Sequence, residues 1–155
     1  MIIKIALSPQ SKLGQLYYKQ LLALYNELFF AMKTLIKDIS NRTAYRAFGE
    51  LERLWGPGES VALAIDEATG ELVGFLHFSY SKSGDRFLYI HNFYVVPSER
   101  GKGTGRALMQ WVQEYGRKKG CQWAELHVVD SNVGAQRLYQ SFGFKTESQT
   151  MTLEL

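Results

Sequence analysis

Apolar positions along this chain change period part-way, which divides it into a helical first third and a strand-rich remainder. Leu21, Leu24, Leu28, Met32, Leu35 and Ile39 recur at steps of three and four residues, the spacing of one helix face. This predicts a long amphipathic helix over residues 14 to 38. Residues 2 to 7 precede it as a short edge strand, broken by the turn signal Ser8-Pro9. A second helix is expected over 41 to 54, capped by Ser40 or Asn41 and stopped by Gly56-Pro57-Gly58.

Beyond residue 60 the runs become strand-like. Val61-Ala62-Leu63-Ala64-Ile65 and residues 72 to 80 flank a polar connection with hairpin chemistry, so the two strands should be antiparallel. After a turn over 81 to 85, residues 86 to 96 form a third long strand rich in aromatic and β-branched side chains, which Pro97 ends. From 103 to 119, Ala107, Leu108, Trp111, Val112 and Tyr115 share one face opposite Gln110, Gln113, Glu114 and Arg117, the pattern of a helix packed on a sheet. A strand over 123 to 129, a short helix over 132 to 142 with Gly143 at its C′ position, and a final strand from 144 complete the order. No repeat or linker composition divides the chain, so residues 1–155 are expected to form a single domain.

Composition narrows the classes. With 46% hydrophobic and 21% charged residues in 155, the chain can bury a core without disulfides or a structural metal. A net charge of +3 is too dilute for the basic face of a nucleic-acid binder, and the run Arg117-Lys118-Lys119 suits a helix C-terminus. No nucleic-acid partner is expected. The single cysteine, Cys121, excludes an internal disulfide, and three histidines leave no cluster of zinc-ligand spacing. We therefore expect no metal and a reducing, cytoplasmic location. The first residues lack the pattern of a secretory leader, and the apolar stretch near 21 to 32 is interrupted by Asn26 and Glu27, so no membrane partner is expected either.

Chemistry concentrates in Tyr94-Val95-Val96-Pro97-Ser98-Glu99-Arg100-Gly101-Lys102-Gly103-Thr104-Gly105-Arg106, where a buried strand feeds a glycine-rich turn that opens a helix. Free N–H groups and the positive dipole end at such a start suit a diphosphate, and glycines remove the Cβ atoms that would block its approach. Arg100, Lys102 and Arg106 add positive charge. The segment lacks both the Gly-Lys-Ser/Thr ending of a P-loop and the Gly-x-Gly-x-x-Gly spacing of a dinucleotide fold. Arg-x-x-Gly-x-Gly remains.

That segment resembles the acetyl-CoA signature of the GNAT superfamily of N-acetyltransferases, Gln/Arg-x-x-Gly-x-Gly/Ala after a strand ending in Val-x-Pro, an ending that Val95, Val96 and Pro97 supply. Downstream, Asn132-Val133-Gly134-Ala135-Gln136-Arg137-Leu138-Tyr139-Gln140-Ser141-Phe142-Gly143-Phe144 resembles the family's Asn-x-x-Ala-x-x-Leu-Tyr-x-x-x-Gly-Phe. Either motif alone has a plainer reading, glycines that cap a helix or a tyrosine that packs; the two in order favour the family. The resemblance is close over about 60 to 145 and holds only in outline before that. It implies an α/β (α+β) fold: a GNAT-like mixed, mostly antiparallel central sheet of six to seven strands, flanked by about four helices and splayed after the fourth strand, where acetyl-CoA enters.

Acetyl transfer from a thioester to an amine needs a neutral amine, a stabilised oxyanion and a proton for the leaving thiolate. The resemblance implies that Phe93, Tyr94 and Val95 align the pantetheine arm through their backbone, with the Val95 N–H toward the thioester oxygen. It places the diphosphate on the N–H groups of Gly101, Lys102, Gly103, Thr104, Gly105 and Arg106, beside the Arg100 charge. Tyr139 matches the family's proton donor to the thiolate, and a reference pKa of about 10 keeps it protonated at neutral pH. Asn132, two helical turns before Tyr139, either reaches the pantetheine or simply caps its helix. The implied base is His91, in a position where amine-acetylating relatives carry His or Glu; His127, Glu125, His77 and an ordered water are the alternatives. Cys121 has no histidine near it in sequence, so direct transfer without a covalent intermediate is expected.

The expected function is therefore acetyl transfer from acetyl-CoA, as donor cosubstrate, to a primary amine of a small molecule or peptide. A non-catalytic acyl-CoA-binding sensor and a nucleic-acid-binding domain are the competing classes. Glu27, Asp38, Glu50, Glu52 and Glu59 are too scattered in sequence to define an acidic acceptor pocket. A homodimer through exposed aromatic side chains is a further expectation, drawn from relatives.

Overall fold

Five strands, β1 (Ile2–Ala6), β2 (Ser60–Ile65), β3 (Leu72–Tyr80), β4 (Phe87–Val95) and β5 (Trp123–Leu126), lie side by side in chain order in the computed structural model, which describes residues 1–35, 47–153 and 155. The first four pair antiparallel in succession. Between β2 and β3, the Asp66 carboxylate accepts the Ala68 N–H at 2.8 Å, and Gly70 closes the turn at φ +72°. β5 joins β4 in parallel after the crossover helix α3 (Thr104–Lys118), as parallel neighbours require. Helices α1 (Lys12–Leu16), α2 (Tyr18–Leu35) and α4 (Val133–Ser141) complete the four α-helices among the described residues.

Both faces of the sheet are covered, which is why β2 is buried along its whole length. On one face Leu21, Leu24 and Tyr25 of α2 pack against Val61, Leu63 and Phe75. On the other, Leu108, Met109 and Val112 of α3 meet Ala62, Leu76, Phe78, Leu88 and Ile90. Each large side chain so buried contributes about 1.5–3 kcal/mol. Gly74 allows α3 to come close: a Cβ there would lie 3.0 Å from the Tyr94 carbonyl oxygen and 3.3 Å from Leu108 Cδ1.

Several expectations need correction. Up to Leu35 the long first helix is two pieces, with Tyr17 capping α1 and α2 starting at Tyr18, because the α1 turn is anchored on the Ser8-Pro9 corner by the Ser11 hydroxyl; residues 36–38 of the expected span lie outside the described residues. Of the second helix expected over 41 to 54, residues 41–46 and the cap candidates Ser40 and Asn41 lie outside the described residues. Residues 47–50 are not helical, and only the 3₁₀ turn Leu51–Arg53 follows. Among the described residues the sheet has five strands rather than six to seven. The final strand expected from Phe144 is absent: residues 144–153 form no strand, and Met151 and Leu153 stand exposed. Alternating apolar residues make a strand only against a partner edge, and β5, four residues long instead of seven, offers a short one.

That short β5 also shapes the other edge of β4. Pairing runs only from Phe87↔Trp123 to Ile90↔Leu126, so among the described residues no strand pairs with β4 beyond Ile90 on its β5 side. No helix among the described residues is long and apolar enough to cross a membrane.

Candidate active site

The open edge of β4 can be read from its hydrogen bonds. The Val96 N–H donates to the Val73 carbonyl of the β3 side at 3.0 Å, and Gly74 stands opposite Val95. Successive residues of a strand direct their backbone groups to opposite edges, so the N–H and C=O of Phe93 and Val95 face the gap. Those of Tyr94 face β3. The Arg100 side chain confirms the outward direction of Val95, since its Nε donates to the Val95 carbonyl oxygen at 3.0 Å.

A β-bulge re-aims the side chains of the same strand. His77 pairs with Asn92 while Phe78 pairs with Ile90, which leaves His91 as the extra residue. Leu88, Ile90, Phe93 and Val95 consequently all lie on the α3 side, whereas His91, Asn92 and Tyr94 lie on the α2 side. Strict alternation would have put His91 and Val95 on one face.

At one end of the gap, α3 begins with Gly103 at φ +90°, preceded by Gly101 at φ +77°. No side chain caps this helix, so its first N–H groups point outward unclaimed by a cap. A Cβ on Gly101 or Gly103 would meet nothing within 4 Å; these glycines serve conformation rather than packing. Gly105 is different, because a Cβ there would lie 3.3 Å from the Phe93 ring. Thr104 is buried, while Arg100, Lys102 and Arg106 are exposed around the turn. Lys102 leans toward Glu99 at 3.6 Å, and Arg106 lies over the Phe142 ring at 5.4 Å.

Tyr139 of α4 approaches β4 on the α3 side, its ring 6.4 Å from Phe93 and 5.9 Å from Phe144. Burial raises its pKa above the ordinary tyrosine value. Asn132 caps α4, its Oδ1 accepting the Ala135 N–H at 3.2 Å. The plain capping reading thus accounts for that oxygen.

On the α2 side the three histidines form a row. The His77 and His91 rings stack at 4.7 Å, Tyr89 stands edge-on to His91 at 4.8 Å, and His127 meets Tyr89 at 5.7 Å. His91 is exposed and its Nε2 lies 2.9 Å from the Ser79 hydroxyl. His77 is only 1% exposed, and its Nε2 lies 3.0 Å from the Glu59 carboxylate. Burial pulls the His77 pKa down to about 4 against the opposing pull of Glu59, so the pair is a neutral imidazole donating to a carboxylate. His91 is lowered as well, chiefly by burial. Glu125 is turned away into a hydrogen bond with the Trp123 indole.

Residues 19–144 match the model of the acetyltransferase (GNAT) family. The chain belongs to this family. Among curated relatives, the thialysine N-epsilon-acetyltransferase of Mus musculus is 38% identical over 91 residues, 56% of this chain and 54% of that protein. The chain spans about half the length, or less, of the first such relatives. Among solved structures, the tetramutant of the BH1408 protein from Bacillus halodurans superposes with a TM-score of 0.84 at 23% identity, covering 100% of both chains. The aminoglycoside N-acetyltransferase AAC(6')-Iy, solved with CoA, gives 0.67 at 16% identity over 99% of this chain and 98% of that one. These likenesses establish the fold.

Within the GNAT frame, two acidic residues that looked scattered in sequence turn out to be placed. Glu59 holds His77, and Glu27 of α2 accepts the Tyr94 hydroxyl at 3.0 Å, with the Arg100 guanidinium 5.4 Å over the Tyr94 ring. Burial, then Glu27, raises the Tyr94 pKa. Glu27 left one trace in the sequence, a carboxylate inside an apolar helical stripe; Glu59 left none.

Proposed function

We propose that the chain transfers the acetyl group of acetyl-CoA to the primary amine of a small molecule, the acceptor kind that the names of its thialysine and aminoglycoside relatives print. The observation that carries this reading is the unpaired edge of β4, with the outward backbone of Phe93 and Val95, set between an uncapped glycine-rich helix start and two titratable side chains on opposite faces. The residues present suit the donor. An extended amide-bearing arm can pair with Phe93 and Val95 as a strand would, once the Arg100 side chain releases the Val95 carbonyl. The diphosphate falls to the N–H groups of residues 101–106, with Arg100, Lys102 and Arg106 for charge. Asn132 lies at the far start of α4, where its amide NH₂ remains to meet the arm.

Chemistry follows from the two faces. His91, on the exposed α2 side, takes the ammonium proton so that a neutral amine attacks. The Val95 N–H stabilises the oxyanion, and Tyr139, on the α3 side, gives its proton to the departing thiolate. Base and acid thus stand on opposite faces of β4, with the outward backbone of Val95 between them. A single cysteine fits a reducing compartment such as the cytoplasm.

A screen for thiol release from acetyl-CoA against amino acids, polyamines, aminoglycosides and peptide amines tests the activity. Tight acetyl-CoA binding with no release across the panel would instead indicate an acyl-CoA sensor. The donor cradle has its own test in Gly103→Ala. At φ +90° an L-residue is strained by about 1–2 kcal/mol, which the loop relieves by leaving its left-handed conformation and withdrawing its N–H groups. We expect KM for acetyl-CoA to rise roughly 5–30-fold with kcat little changed.

A further inference from the structure

We propose that Glu59, His77 and His91 form a binding site for a divalent transition-metal ion, with zinc as the fitting example, at the α2 face of the sheet. Each residue offers one ligand atom, and the three atoms lie within 4.8 Å of one another. Glu59 Oε2 and His77 Nε2 are 3.0 Å apart. Tetrahedral zinc, with bonds of about 2.0–2.1 Å to nitrogen and oxygen, holds its ligand atoms about 3.3 Å apart, so the ion can replace the proton now shared by this pair. His91, whose Nε2 rests 2.9 Å from the Ser79 hydroxyl, needs a swing of about 1–2 Å to complete the set.

Donor chemistry selects the metal. Two imidazoles and one carboxylate favour zinc, cobalt or nickel over magnesium or calcium, which take all-oxygen sites. Three protein ligands leave a fourth position for solvent, on the exposed side of His91. His77 is braced for the role. Its Nδ1 lies 3.4 Å from the Asn92 side-chain amide, which in the orientation that presents Oδ1 would accept the Nδ1–H of a metal-bound ring. The Tyr25 hydroxyl, on a ring that meets His77 edge-on at 6.0 Å, is buried with no hydrogen-bond partner among the described residues. Burial, then the Glu59 charge, raises the pKa of this hydroxyl, yet nothing among the described residues hydrogen-bonds it.

Binding through Nε2 shifts the His77 proton to Nδ1, so the ring stays neutral, and holds the His91 lone pair on the metal. Its effect on catalysis rests on the reading of His91 as base: an occupied site blocks acetyl transfer.

Cobalt(II) titration of the whole chain, without acetyl-CoA, tests the site. We expect one equivalent of Co²⁺ to give the visible absorption of a four-coordinate nitrogen and oxygen site, and Zn²⁺ to displace it. Glu59→Gln, His91→Ala and His77→Ala should each weaken binding by more than the roughly 10–100-fold that outer-shell changes cost. His91 is exposed, so its variant stays informative if the buried His77→Ala fails to fold. Absence of the absorption, or wild-type affinity in His91→Ala, overturns the site and leaves the base assignment intact. Absorption without zinc inhibition of turnover supports the site and counts against His91 as base.

Discussion

Tyr139→Phe is expected to lower kcat by about 10²–10⁴, the range of a lost acid–base group, while acetyl-CoA affinity holds. The ring's contacts with Phe93 and Phe144 survive in Phe, so only the hydroxyl is removed. The pH dependence sharpens the test. The protonated phenol is the working form, and burial raises its pKa above the ordinary tyrosine value. The alkaline fall of kcat attributable to this group should therefore begin only above that value, and it should vanish in the variant. Wild-type kcat in Tyr139→Phe, measured by thiol release under saturating acetyl-CoA, would remove the residue from the mechanism.

His91→Gln carries the second large effect. An amide can keep a hydrogen bond to the Ser79 hydroxyl, so the site should hold its shape while the proton acceptor is lost. We expect kcat/KM for the amine to fall by about 10²–10⁴ with KM for acetyl-CoA little changed. Assays in the presence of a chelator keep metal occupancy out of the comparison. The neighbouring His77 cannot stand in, because it is sealed at 1% exposure and already committed to Glu59. His127→Gln, one aromatic ring further along the row, is the control and should change little. Full activity in His91→Gln would shift deprotonation to ordered water.

The glycine-rich turn and its helix were legible because they are local. A glycine-rich turn, the helix it opens and the Val-x-Pro strand before it occupy consecutive residues, and the backbone N–H groups that define an anion site follow from those residues alone. The crossover helix, the hairpin and the Asn132-capped α4 were legible for the same reason, each being marked by its own periodicity and local turn or cap residues. Only backbone pairing could reveal that the Phe93 and Val95 groups, not those of Tyr94, face the gap.

What sequence by itself determined, then, is the family, the mixed α/β fold class and the glycine-rich turn that opens α3. Tertiary structure alone decided the α2 face. Glu59, His77 and His91 stand on three separate segments and meet only through the β2–β3–β4 register. The bulge that turns His91 toward His77 carries no glycine or proline to announce it. Tertiary structure also decided against a strand at 144–153, since alternation records what a segment can bury and not whether an edge is there to receive it. Short-range order is written in neighbouring residues, whereas a site assembled across strands depends on register, which a one-residue slip reverses.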